Sequence, residues 1–398
     1  MSLSFLNNAQ SFAALVSSRW TDGFSARSHY ARDLKCVLSI KDGDNFKGDS
    51  MLATLRRTSQ QAFDSGSKGL LVLVTHEGAG LFDKISTKQS WNKIPRLQIW
   101  AAEQVETIAS SRDAQIVADT VILTRPVLER LHAPDKFWHV SSIAKIHDAI
   151  AAGRLYQLCL TFPLWFKPLP CYGELFKWMM QEHPVEFGAW VRLPGLELAS
   201  CSPENFLSLR AGQVSTRPMK GTRRLERGRE TQILHELKYA TKDLAENTMI
   251  VDVSRNDLAR VCRPGSVQVP QLHHIEQYRS VAQMTSTITG SLRPECDVWD
   301  LLSAAFPPAS MTGAPKIEAC RMIQELEFSP RGLYGGTLGW IEPNGDANFS
   351  VIIRSMQSWQ GQARWDVGGG IVHDSEATAE WKEAWAKVAV LGELPEIT

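Results

Sequence analysis

The chain has 398 residues, 43 Lys and Arg against 43 Asp and Glu, and is 43% hydrophobic. That is enough apolar material for a large core, in one big domain or two ordinary ones. A net charge of zero argues against general polyanion or nucleic-acid binding, which shows a basic excess. No charge-free apolar run reaches the roughly 18–20 residues of a membrane-spanning helix. The start, MSLSFLNNAQ, has no basic segment followed by an apolar one. Seven scattered cysteines without a CxxC pair read as reduced thiols. The expectation is a cytoplasmic protein with no membrane and no nucleic-acid partner.

Along the chain, residues 1–140 carry the fewest signals. Strand-like runs fall at 36–40, 70–75 and 97–101, and residues 49–65 suggest an exposed helix. Residues 141–152 have helical spacing and end at Gly153, a C′ glycine. Residues 156–162 read as a buried strand. Residues 196–209 and 213–219 read as two more around a turn at Ala211-Gly212. A long helix is expected over 230–260, stopped by Pro264-Gly265, with further helices over 298–305 and 317–326. Residues 335–342 and 348–356 suggest a hairpin across Pro343-Asn344-Gly345. Residues 367–373 read as a strand, followed by a final helix over 376–390 capped by Asp374 or Ser375. Strands and helices come in runs without strict alternation, which favours an α+β fold over a doubly wound parallel sheet.

Several common chemistries are missing from the sequence. There is no Gly-Lys of a Walker A loop, no GxGxxG, no GxSxG and no GxCxG. His235-Glu236 opens a zincin-like pattern, but Tyr239 stands where the second His belongs.

Two acidic pairs draw more interest. Asp243 and Glu246 share one helix face, and Glu380, Glu383 and Lys387 share another. A solvated charged face is the ordinary explanation. Yet the first helix continues into the apolar run 249–253, and the second carries Trp381 and Trp385, so both look packed. Carboxylate pairs brought together in a core repel unless protonated or bridged by a cation. With oxygen ligands only, that cation is Mg²⁺. The segment STRPMKGTRRLERGRE is basic, but Glu226 and Glu230 interrupt it. Gly221-Thr222 after Lys220 suggests close backbone approach. Gly368-Gly369-Gly370 suggests a tight bend or backbone amides offered to an anion.

The ordered segments ASCSPENFLSL, TRPMKGTRR, KDLAENTMIVDVSRNDLARVC, STITGSL, FPPASMTGAPKIEA, LYGGTLGW, VIIRSM and GGGIVHDS…AEWKEAWAK resemble the chorismate-utilising enzymes. That family includes component I of anthranilate synthase and of aminodeoxychorismate synthase, and the isochorismate and salicylate synthases. The match covers about residues 140–392, with 1–140 divergent. The resemblance implies one chorismate-binding domain over 1–398, with two packed β-sheets flanked by helices in four layers. It implies a cleft for chorismate and one Mg²⁺. Glu246 and Glu383 would be the direct metal carboxylates, with Asp243 and Glu380 beside them. Arg354 would pair with a substrate carboxylate. Tyr334, Lys387 and Thr222 would line the pocket, with backbone amides near Gly369 and Gly370. Glu204 would be the general acid/base.

Within the family, two positions choose a branch. Isochorismate and salicylate synthases carry a Lys base where this chain has Gln157, as ammonia-using members do. Anthranilate synthases read P-I-A-G-T where this chain reads PMKGT, and the Lys resembles aminodeoxychorismate synthase. Lys220 would then attack the ring diene and expel the ring hydroxyl. Its pKa must fall first, and the metal, Arg217 and Arg223 would lower it by like-charge repulsion. Gln283 replaces a family His tied to proton handling and pyruvate loss, which disfavours aromatising chemistry. Pro308-Ala309 replaces the usual Gly-Gly. The resemblance therefore implies aminodeoxychorismate synthase component I, making 4-amino-4-deoxychorismate for p-aminobenzoate and folate. The ammonia would come from a separate glutamine amidotransferase subunit. The competing expectations are anthranilate synthase component I and a non-catalytic subunit binding chorismate or tryptophan.

Overall fold

Eighteen strands hydrogen-bond into one antiparallel sheet in the computed structural model, which describes residues 11–17, 27–44, 50–82, 85, 87–109, 126–277, 281–388 and 391. The first nine are β1 (Phe12–Ser17), β2 (Arg27–Ile40), β3 (Gly69–Val74), β4 (Leu97–Ala109), β5 (Arg130–His132), β6 (Gln157–Phe166), β7 (Phe187–Leu193), β8 (Leu196–Ser202) and β9 (Asn205–Arg210). The rest are β10 (Gln213–Arg217), β11 (Met219–Arg224), β12 (Gln268–Gln277), β13 (Val281–Ser291), β14 (Gly313–Ala314), β15 (Thr337–Ile341), β16 (Ala347–Val351), β17 (Ser355–Trp359) and β18 (Gln362–Ile371).

The spatial order starts β12-β13-β10-β9-β16-β15-β3-β4-β2. It continues through β1 to β7-β8-β17-β18-β6. β11 also pairs with β13, while β5 and β14 end on β6.

The sheet doubles over at β1, so its halves pack face to face. Leu71 and Leu73 of β3 and Trp340 of β15 meet Val191 of β7 and Leu198 of β8. The opposite face of β3, Leu70, Val72 and Val74, packs under helices Met51–Asp64, Thr241–Ala259 and Val298–Ala305 through Leu55, Val251 and Leu302. Helices Tyr172–Glu182 and Ala377–Val388 cover the outer face of the second half through Phe176 and Ala384. These are the four layers expected of the α+β fold. Each core layer is built from alternate residues of the same strands, as the two-residue period of a strand requires. No helix among the described residues is long and apolar enough to cross a membrane.

Local differences from the sequence reading carry physical information. The helix expected over 230–260 is two helices, Glu230–Lys238 and Thr241–Ala259, because Ala240 is extended at φ −70° and ψ 100°. The break lets Leu237 bury against Ala282 and Met284 while Glu246 and Val251 turn toward the interior. Helix Met51–Asp64 is amphipathic and not simply exposed, since it buries Leu55, Ser59 and Ala62. Pro203 and Pro218 interrupt the strands expected at 196–209 and 213–219, because proline has no N–H to give a ladder. The helix over 141–152 starts earlier, at Lys136, capped by Asp135, and closes at Gly153 with φ +71° as expected. Ser375 does not cap the last helix; its hydroxyl accepts from Val372 N at 3.1 Å. Residues 389 and 390 of that expected helix lie outside the described residues.

Candidate active site

The two proline breaks set the first two functional side chains. Glu204 follows Pro203 in the gap between β8 and β9 and is 4% exposed. Burial pushes its carboxyl up to about 7, with the Ser310 hydroxyl and the Lys220 charge drawing it partly back. A carboxyl in that range can give up a proton at neutral pH. Lys220 follows Pro218 on β11, opposite Met284 of β13. A bulge at Gly221 comes next, with φ +77°, and a Cβ there would meet Asp243 Cγ at 2.9 Å. Both the conformation and the space require glycine.

Lys220 Nζ donates to Ser310 O at 3.4 Å and lies 3.8 Å from Glu246 Oε2. The expectation that Arg217 and Arg223 lower its pKa is overturned. Arg217 is buried against Glu186 and 3.2 Å from Glu276, and Arg223 donates to Asp243 at 2.6 Å, so both charges are already paired. Burial pushes the Lys220 ammonium down, but the neighbouring carboxylates, Glu246 foremost and then Glu204 and Glu383, outweigh it and hold the group above the ordinary lysine range. Lys220 rests as a cation here.

The acidic set meets in a ring of cations. Lys242 Nζ lies 2.5 Å from Glu380 Oε1 and 3.8 Å from Glu246 Oε1. Lys387 Nζ lies 2.9 Å from Glu383 Oε1 and donates to Gly368 O at 2.7 Å. Glu246 and Glu380 are buried, whereas the Glu383 side chain is half-exposed. Burial raises the Glu246 carboxyl; burial also acts upward on Glu383, but Lys387, Lys242 and Lys220 bring it below the ordinary range. Among the described residues, no group of three or more His, Cys, Asp and Glu stands close enough together to hold a metal as the side chains lie.

The glycine triplet shows how these groups converge. A Cβ on Gly370 would lie 2.6 Å from Gln157 Nε2, 2.8 Å from Glu246 Oε2 and 3.1 Å from Lys220 Nζ. One on Gly369 would lie 3.4 Å from Glu380 Oε2, 3.7 Å from Glu383 Oε1 and 3.7 Å from Lys387 Nζ. Adjacent residues of β18 thus back onto the two acidic helices at once. β18 pairs with β6, Gly370 opposite Cys159, and so brings Gln157 alongside. Gln157 is fully buried, and neither its Oε1 nor its Nε2 has a hydrogen-bond partner. Gln283 Oε1 and Glu380 Oε2 are also buried and unpartnered. Buried polar atoms without partners are costly, so a cluster of them marks a place where something binds.

The other expected residues lie on flanking strands. Thr222 is the cross-strand partner of Gln283. Tyr334 is buried, and burial raises its hydroxyl well above the ordinary tyrosine range. Arg354 sits between β16 and β17 with φ +50°, a strained conformation for a non-glycine. Its charge acts on Cys201 and His183. Sequence reasoning missed Lys242, Cys159 and the Ser310 carbonyl. Lys242 stands four residues before Glu246, a spacing that could have flagged it. A backbone carbonyl leaves no mark in a sequence.

Over residues 18–393 the chain matches the chorismate binding enzyme family, and it belongs to that family. It is 42% identical over 217 residues to aminodeoxychorismate synthase component 1 of Klebsiella aerogenes, covering 54% of this chain and 48% of that protein. It is 35% identical over 250 residues to aminodeoxychorismate synthase component 1 of Bacillus subtilis, covering 62% and 53%. The chain therefore spans about half the length of these curated relatives. The crystal structure of anthranilate synthase component I from Streptococcus pneumoniae TIGR4 superposes with a TM-score of 0.77 at 21% identity, covering 94% of this chain and 93% of that one. At that identity the likeness concerns the fold.

Proposed function

We propose that the chain aminates chorismate to 4-amino-4-deoxychorismate, acting as component I with ammonia from a glutamine amidotransferase subunit and serving p-aminobenzoate and folate synthesis. The observation that carries this is the convergence on Gly370 of a lysine amine, a carboxylate and a glutamine amide. The names of the two relatives support it.

In this reading Glu204 protonates the departing ring hydroxyl, which leaves as water. Lys220 first gives up one ammonium proton to solvent, and its neutral Nζ then forms a C–N bond at the far end of the diene as that hydroxyl departs. Ammonia then bonds to the carbon that lost the hydroxyl, and the Lys220 bond breaks. The sum is chorismate plus ammonia giving the amine plus water, with the enolpyruvyl group retained. Gln157 and Gln283 offer hydrogen bonds but take no proton, so neither activates water nor drives loss of pyruvate. Arg354 binds a substrate carboxylate through its planar guanidinium. Tyr334, Thr222, Lys387 and the amides at Gly369 and Gly370 shape the anion pocket.

The chemistry of the acidic set suits a Mg²⁺ ion once its side chains draw together. Glu380 Oε2 is buried without a partner, the donors are all oxygens, and lysine ammoniums stand beside the carboxylates. Glu246 and Glu383 would hold it, with Asp243 and Glu380 alongside. When bound, the ion would supply positive charge to the ring carboxylate and offset the acidic charges that keep Lys220 protonated. The seven thiols, none in a disulfide, suit the reducing cytoplasm. The test is product analysis by mass and absorbance after incubation with chorismate, Mg²⁺ and ammonium. An amine that keeps the enolpyruvyl group is expected; anthranilate with pyruvate, or no product, would sink the reading.

A further inference from the structure

Two sequence motifs remain without a task in this scheme, the SRND stretch around Asp257 and the APK stretch around Lys316. The structure joins them. Lys316 Nζ lies 2.6 Å from Asp257 Oδ2 and donates to Ala305 O at 2.6 Å. Both side chains are about nine-tenths buried. The pair anchors the start of a turn, residues 306–315, to the helix that carries Asp243 and Glu246.

A second buried cation grips the same turn from the other side. Arg331 is 1% exposed. It donates to Met311 O at 2.6 Å and to Cys159 O at 2.8 Å, while Glu327 holds it at 2.6 and 2.9 Å. Cys159 is two residues from Gln157 on β6, and Met311 adjoins Ser310. Cys159 N also donates to Thr312 O at 2.8 Å, and Gly313 and Ala314 pair with Leu158 and Gln157. Between the two cations lies the Ser310 carbonyl, which accepts from Lys220 Nζ.

We propose that Lys316 and Arg331 are positioning residues whose grip on residues 306–315 sets the Ser310 carbonyl against Lys220 and so aims the lysine at the substrate. A lysine stem has four rotatable bonds, and fixing its head with one acceptor at a defined place limits where its nitrogen can point. Asp257 lines the cavity that also holds Glu204 and Ser310, and the Arg331 charge acts on Tyr334, but neither cation is a group assigned to bind substrate, so their loss should act on orientation more than on affinity. The inference rests on the reading of Lys220 as the nucleophile.

The experiment measures the rate of adduct formation at Lys220 with chorismate and Mg²⁺ but no ammonia, together with KM for chorismate. The variants are Lys316→Met/Asp257→Leu, Arg331→Met/Glu327→Gln and Lys316→Arg. The double changes remove both charges of each pair, so neither member is left behind as a lone buried ion, and thermal melting checks that each is folded. The expected result is a fall of about ten- to a hundred-fold in adduct rate, the scale of a misplaced reacting group. KM should stay within about twofold, and Lys316→Arg should keep most of the rate. A merely structural role would lower the melting temperature and leave the rate of the folded protein unchanged. Folded double variants that form adduct at the wild-type rate overturn the proposal. A wild type that forms no adduct overturns the covalent reading instead; the positioning claim is then decided by kcat for ammonium-dependent turnover in the same variants, where no loss overturns it.

Discussion

Gly370→Ala isolates the convergence at the centre of the site. The residue lies on β18 outside the positive-φ region, so alanine adopts its backbone without strain. The new methyl would sit 2.6 Å from Gln157 Nε2, 2.8 Å from Glu246 Oε2 and 3.1 Å from Lys220 Nζ. Ordinary contact begins at 3.4 Å, so the three groups must withdraw by up to roughly 0.8 Å. Each is the end of a side chain that can swing, so the stability loss falls at the low end of overpacking, about 1 kcal/mol. Activity bears more of the change: a shift on the order of 1 Å in a reacting group costs about a hundred-fold in rate. The assay is ammonium-dependent turnover at saturating chorismate beside a thermal melt. Gly369→Ala is the matched control for stability only, since its nearest atom would be Glu380 Oε2 at 3.4 Å and no side chain need move to admit the methyl. A folded Gly370→Ala protein within about twofold of wild type would refute the claim that these three groups surround the reacting centre.

Three further outcomes follow from named groups. Glu204 works as an acid and its carboxyl sits at about 7, so initial rate should fall as pH rises through about 7; Glu204→Gln should lose most activity and that limb with it, and an unchanged limb in the variant would reassign the acid. Burial also raises the Glu77 carboxyl to about 7, so the stability it contributes is fully present below its ordinary value near 4.5 and is lost as pH rises through 7; the melting temperature of Glu77→Gln should be flatter between about pH 5 and 8 than that of the parent, and parallel curves would contradict this. Lys220→Arg keeps the charge but cannot be a neutral nucleophile, so it should form no chorismate-minus-water adduct and lose most turnover; an active Arg variant with an adduct-free wild type would end the covalent mechanism.

The acidic helices were legible because each carries its carboxylates three residues apart beside an apolar run. Glu204 and Lys220 were legible as motif residues, and the prolines before them explain in physical terms why those strands stop there. The first third was hard to read for the opposite reason. Its strand at 70–75 is legible from the apolar run and is β3, GLLVLV, but that strand is buried on both faces and shows no alternation, so nothing in it announces its partner β15 from the far end of the chain. The ionic state of Lys220 was misread because a sequence shows Arg217 and Arg223 as neighbours but not that Glu186, Glu276 and Asp243 have already claimed them. The break at Ala240 has no glycine or proline to announce it and follows from burial of Leu237.

Neutrality of the whole chain is repeated in the pocket. Within the acidic set, Glu246, Glu380, Glu383 and Asp243 stand beside Lys220, Lys242, Lys387 and Arg223, four negative groups against four positive, with Arg354 outside that set. Chorismate brings two negative charges and Mg²⁺ two positive. Either alone would leave two uncompensated charges in a partly buried site, where charges interact more strongly than in water. Together they leave the balance of the acidic set unchanged. The two should therefore bind cooperatively, each tightening the other by the same factor, on the order of 5- to 150-fold for a coupling of ordinary size. Titrating chorismate calorimetrically at rising Mg²⁺ measures that factor, and the reverse titration must return the same one. Glu383→Ala removes a carboxylate proposed to hold the ion and should shrink the coupling while the protein stays folded, because that side chain is half-exposed. Excess chelator should abolish turnover, and Mg²⁺ should restore it. A chorismate affinity indifferent to Mg²⁺, with full activity in chelator, would mean that the lysines alone balance the carboxylates and that no ion belongs there.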